Sequence, residues 1–163
     1  MAVQIISSAE TDGVIASYGS TNWATERDAT TGNNVFEDAE DVNLAIAGEF
    51  QAGRGGGTWN VRRSFFAFDT STISSSFSVS DVELTVTGED ATGYVSGSIM
   101  VVKAVKPDLL TDITTSNMAA ITGYSAGNSM AGNVTDYVDS FYPSGSWRDS
   151  GANPITLNAT ARA

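Results

Sequence analysis

The chain has 163 residues, 41% of them hydrophobic, which suits one domain with a full core and is too apolar for a disordered segment. Nineteen acidic residues against eight basic ones leave a net charge of −11, a field that repels nucleic acid and anionic membrane surfaces. Zero His and zero Cys exclude a Ser–His nucleophile, thiol chemistry, disulfides and the usual zinc ligands, while 20 Ser, 18 Thr, 10 Asn and 16 Gly favour strands and turns over helices.

In chain order, the opening Met-Ala-Val-Gln-Ile-Ile-Ser-Ser has neither the basic region nor the long apolar stretch of a signal peptide, so the expectation is synthesis in a cytoplasm, or else an export signal cut away before this numbering begins. Val3–Ile6 and Val14–Tyr18 read as weak strands. Val42, Leu44, Ile46, Gly48 and Phe50 alternate with Asn43, Ala45, Ala47 and Glu49, the pattern of a half-buried strand. Gly53 to Gly57 then reads as a hairpin loop; it lacks the Gly-Lys-Ser/Thr ending of a phosphate cradle. Between Trp59 and Asp69, one face carries Trp59, Val61, Arg63 and Phe65, and the other carries Phe66 and Phe68. A loop at 74–80 precedes Val82, Leu84 and Val86, which alternate with Asp81, Glu83, Thr85 and Thr87; a loop at 88–93 follows. Ile99, Met100, Val101 and Val102 are dense enough for a strand buried on both faces.

Pro107-Asp108 opens the one expected helix, with Leu109, Leu110 and Ile113 turned inward. Residues 114–152 are polar and without strong periodicity, and are expected to hold irregular or short helical structure. Ile155–Ala159 closes a series of about seven strands, without internal repeat or linker. The expectation is one all-β domain over 1–163, an antiparallel sandwich with at most one or two short helices. Its predicted core is Phe66, Phe68, Leu84, Val86 and Val101. Nothing here is long and apolar enough to span a bilayer.

Glu37, Asp38, Glu40 and Asp41 put four carboxylates in five residues, a candidate calcium loop, since that ion takes oxygen ligands from such loops. The spacing matches no EF-hand, so a solvated loop is favoured and no cofactor is expected. Tyr137, Phe141, Tyr142 and Trp147 gather near Asp136, Asp139, Arg148 and Asp149. Aromatic faces beside carboxylates suit a sugar, and they suit a closed sandwich end equally. Tyr137, Tyr142, Trp147 and Asp149 are the candidate ligand-binding set, with Trp23 and Tyr18 a second aromatic spot. Carboxylate pairs alone can run glycoside hydrolysis, but nineteen acids make some pair inevitable, so no enzyme is expected. The sequons at Asn133 and Asn158 carry little without a secretory signal.

The stretch from Arg62 to Ile73, Arg-Arg-Ser-Phe-Phe-Ala-Phe-Asp-Thr-Ser-Thr-Ile, followed by Val79 to Val86, resembles the core of DNRLRE-type domains. These are jelly-roll-like sandwiches related to carbohydrate-binding modules, so the resemblance implies a jelly-roll-like double sheet here. It also implies that Phe68 is core, that Asp69 and Ser71 shape a turn, and that Leu84 packs behind them; Asp12 and Asn22 fall near the family's early Asp and Asn. Trp147 and Asn153 to Ala161 resemble a later strand in versions found in tailed-bacteriophage virion proteins. Those versions continue for several strands, whereas this sequence ends at Ala163 and carries the acidic insertion at 37–41.

The leading expectation is a non-enzymatic structural protein of a bacteriophage virion, made in the host cytoplasm and displayed outside as a capsid decoration or a tail-associated, host-binding module. Its expected partners are other virion proteins, copies of itself across an open sheet edge, and a host surface glycan. The alternative is a carbohydrate-binding module of a larger secreted enzyme or adhesin, with a small carboxylate-based glycan hydrolase third.

Overall fold

The computed structural model describes residues 4–6, 13–37, 47–51, 56–88, 98–105, 113–127, 130, 133–140, 142–143, 147–148 and 150–162. Their strands all pair antiparallel, so the protein is all-β. The main sheet holds β1 (Gly13–Tyr18), β2 (Asn34–Glu37), β3 (Ala47–Gln51) and β4 (Thr58–Phe65) in the order β2-β1-β4-β3. β5 (Val82–Gly88) pairs with β8 (Gly151–Leu157), and β6 (Ser98–Ile99) with β7 (Tyr142–Pro143). Among the described residues the one α-helix is α1 (Trp23–Arg27), with 3-10 turns at Thr115–Ala119 and Ala159–Arg162. The double four-stranded sheet of a jelly roll is not assembled from the described residues alone.

β1 is the centre of the molecule. Paired on both sides and covered on both faces, its Val14, Ile15 and Ala16 are 1%, 0% and 2% exposed. Such a strand reads as a continuous apolar run and lacks alternation, which is why it looked weak in the sequence. Ile15, Val61 and Phe65 share one sheet face, and Ile113 and Met118 from the segment around the first 3-10 turn pack onto them. The register confirms that Trp59, Val61, Arg63 and Phe65 occupy one face of β4. β3 and β4 pair antiparallel with Gln51 opposite Thr58, as the expected hairpin requires, while 52–55 lie outside the described residues.

The structure corrects several expectations. β4 ends at Phe65, opposite Gly13, and residues 66–68 lie outside any strand, so the alternation expected to reach Phe68 does not continue the strand. Phe66 and Phe68 are half-buried instead of core, their rings 6.5 Å apart, as are Leu84 and Val101; of the predicted core set only Val86 is buried. The turn at Asp69 does form, its Oδ1 accepting the Ser71 N–H at 2.9 Å. Gln4 to Ile6 form no strand, and Ile5 is 90% exposed. Ile99 is buried, but Met100, Val101 and Val102 are only half covered, so that run is not buried on both faces. The strand expected from Val42 is described from Ala47 onward; residues 42–46, the expected helix start at 107–110 and the loop at 89–93 lie outside the described residues. Ile113 is buried ahead of a 3-10 turn, and the described helix, α1, lies where none was expected.

β5 and β8 form a two-faced ribbon. Val86 and Ile155 are buried on one side while Glu83, Thr85, Thr87 and Thr156 face water on the other, as the period of two requires. Asn153, 0% exposed, splices the preceding turn onto this ribbon: its Oδ1 accepts Arg148 N–H at 2.7 Å and its Nδ2 donates to Arg148 O at 3.2 Å. Gly88 sits where a Cβ would meet Arg148 O at 1.9 Å, so only glycine fits this close approach.

Residues 101–105 run extended. Tyr137 N–H donates to Val101 O and Lys103 N–H to Thr135 O, then Thr122 N–H donates to Lys103 O and Val105 N–H to Ala120 O. Two separate pieces, 120–122 and 135–137, thus line the same edge end to end. Between them the chain departs after Thr122 and returns at Thr135, a neck closed by Thr135 N–H donating to Thr122 O at 3.0 Å; 128–129 and 131–132 lie outside the described residues.

Candidate functional site

A helix of five residues has no stability of its own, because isolated helices need about 12–15 residues. Side chains hold α1 in place. Asn22 caps it, with Oδ1 accepting Ala24 N–H at 2.9 Å. Glu26 is 5% exposed, and its carboxylate accepts Ser17 Oγ–H at 2.5 Å and Ser20 N–H at 2.7 Å, tying the helix to the end of β1. Ser17 is buried too, so this serine–carboxylate pair is closed to a substrate and acts as a tie.

At the far end, Arg27 Nε and Nη2 grip Asp28 Oδ1 and Oδ2 at 2.6 and 2.8 Å. That hydrogen-bonded pair holds the Asp28 carboxyl below the usual carboxylate range and raises the Arg27 guanidinium. From β4, Arg63 Nη2 donates to Arg27 O at 2.7 Å, Nη1 donates to Met118 O, and the guanidinium lies 4.7 Å over the Tyr124 ring. Tyr124 in turn donates to Ala29 O at 3.2 Å. One arginine therefore joins the sheet, the helix and the 113–124 segment.

The product of this frame is an aromatic pair. Trp59 enters from β4, its backbone locked to the 19–20 turn by Trp59 N–H to Ser20 O at 2.8 Å and Gly19 N–H to Trp59 O at 3.2 Å. Trp23, the first residue of α1, brings its ring centroid to 4.9 Å from that of Trp59, the planes inclined by 59°. Trp23 remains 39% exposed. An open indole beside a second one offers stacking area and an N–H donor.

No family model matches this chain, nor does any curated protein or solved structure. The Trp23–Trp59 pair stands on its geometry.

Two members of the expected aromatic set attach near different points of β8. Tyr137 O accepts Asn158 N–H at 2.8 Å beyond the end of β8, while Arg148, next to Trp147, is held by Asn153. Asn153 and Asn158 are five residue steps apart along extended chain, roughly 16 Å. Tyr142 lies in β7 opposite Ile99, and Phe141 and Asp149 lie outside the described residues. Of the carboxylates offered for calcium, Glu37 ends β2, and Asp38, Glu40 and Asp41 lie outside the described residues. Tyr18 is 47% exposed but pairs with Asn60, placing it on the sheet face opposite Trp59, so it does not join Trp23.

Trp59 and Glu26 were missed as contributors. Asn22 ahead of Trp23-Ala-Thr-Glu26 is a cap followed by a first-turn acid, a readable helix start. The meeting of Trp23 with Trp59 depends on strand register and has no local signature.

Proposed function

We propose that the chain is a non-enzymatic exterior module of a bacteriophage virion, a jelly-roll-like capsid decoration or a tail-associated, host-binding component. The observation that carries this reading is where three polar side chains of the interior and its edge spend their bonds. The buried Glu26 and Asn153 and the half-buried Arg63 all grip backbone, so these side chains hold a frame that presents surface residues. The resemblance supports the setting. A turn forms at Asp69–Ser71, and β5 and β8, which pair along seven residues, each overlap one of the two stretches that carry the resemblance, although Phe68 and Leu84 are half-buried where it implies core. The net charge of −11 suits a module that must stay soluble in many copies.

Density-gradient fractionation of particles from the source, probed with an antibody to this chain, tests the proposal. Co-migration with intact particles is the expected result. A chain found only in soluble fractions would overturn it, and a chain found inside a larger secreted polypeptide would establish the alternative, a carbohydrate-binding module, which the exposed Trp23 favours.

A further inference from the structure

An indole that serves only the core is covered by it. Trp23 is placed otherwise: α1 is capped at its start by Asn22 and anchored through its last two residues, by Glu26 on Ser17 and Ser20 and by Arg63 on Arg27 O, yet 39% of Trp23 stays open. Holding the ring in advance lowers the ordering cost of any ligand that lands on it. Thr21 and Asn22, both exposed, flank it with a hydroxyl and an amide.

We propose that Trp23, backed by Trp59, is a binding site for a neutral pyranose glycan. A pyranose presents an apolar C–H face that stacks on the electron-rich face of indole, and a hydroxyl rim that hydrogen-bonds to groups such as those of Thr21 and Asn22. The charge selects the glycan class: at −11 the protein repels uronate and sialylated chains and leaves neutral ones as ligands. The assignment names the partner chemistry of the host-binding reading and rests on that reading for its biological setting alone.

The test uses the isolated full chain. An array of neutral and acidic oligosaccharides selects the best neutral binder, which then titrates tryptophan fluorescence; the chain has three Trp. Trp23→Ala is expected to weaken affinity at least tenfold, while Phe77→Ala, at an exposed aromatic of the 74–80 loop outside every candidate site, leaves it unchanged. In the unmodified protein, the bound oligosaccharide should also slow N-bromosuccinimide oxidation of Trp23, read by peptide mass mapping, so that the result does not depend on a variant folding. Absence of any neutral binder at millimolar concentration, binding of acidic glycans only, or equal Trp23 oxidation with and without the oligosaccharide would overturn the proposal. Each of those outcomes leaves the particle fractionation untouched, and a chain absent from particles leaves the titration untouched.

Discussion

Ile15 has no accessible surface, and Val61, Phe65, Ile113 and Met118 close around it. Ile15→Ala is expected to cost about 2–5 kcal/mol, the lost transfer energy plus the cavity left behind. Phe68, which the sequence marks as core, is half-buried, so Phe68→Ala should cost less despite removing a larger side chain. Urea unfolding of the two variants checks the order, and a costlier Phe68→Ala would refute the core described above. The comparison also shows what a residue pattern can convey. Alternation identified β5, whose two faces differ, and it undervalued β1, whose faces are alike. It also carried β4 past Phe65, because Phe-Phe-Ala-Phe continues the apolar pattern after the strand has ended.

At the scale of elements, α1 and the 113–124 segment share one keystone. Arg63→Met leaves Arg27 O and Met118 O without their charged donor, and a loss of at least about 1.5–3 kcal/mol is expected. Arg63→Lys should not restore it, since an ammonium cannot span acceptors on two segments or stack on Tyr124 as the planar guanidinium does. Thermal melts of both variants decide this, and a Lys variant matching the parent would show that charge alone suffices. The ribbon offers a second case. Gly88→Ala forces the backbone at Arg148 to move, and hydrogen exchange should rise at Arg148 N–H before it rises in β1. The candidate site was half legible at this scale. Trp23 stood out only with Tyr18 as a second aromatic spot, and its actual partner arrives from residue 59, across a register that only the assembled sheet defines.

Across the whole molecule, acid acts in two directions. Asp28 is held below the usual range by its hydrogen bonds to Arg27, and Asp69 by its bonds to Ser71. A depressed folded-state pKa contributes stability in full above the unfolded value, about 3.9, and that contribution is lost as pH falls through the folded value. Meanwhile, neutralising carboxylates on a chain of net charge −11 relieves self-repulsion. Melting temperature should therefore hold or rise from neutral pH towards about 4.5, then fall in stronger acid. Asp28→Asn with Asp69→Asn should melt below the parent at neutral pH and converge with it below about pH 3. A gap that stays constant with pH would show that these carboxylates do not act through ionisation.

The neck between Thr122 and Thr135 has a consequence for how the protein can change over time. Because 120–122 and 135–137 line one continuous edge of 101–105, the pairing is set by those flanking pieces and is indifferent to how much chain leaves between them. Ser125 and Ala126 are exposed, bracketed by Tyr124 on Ala29 O and by the Gly127 backbone on Asp28. Extra residues inserted between them would add only about 0.6 kcal/mol per doubling of loop length. A ten-residue polar epitope placed there should be reachable by its antibody while the melting temperature stays within a few degrees of the parent's. The neck makes this loop a graft point, where new surface can be added without renegotiating the sheet beneath it.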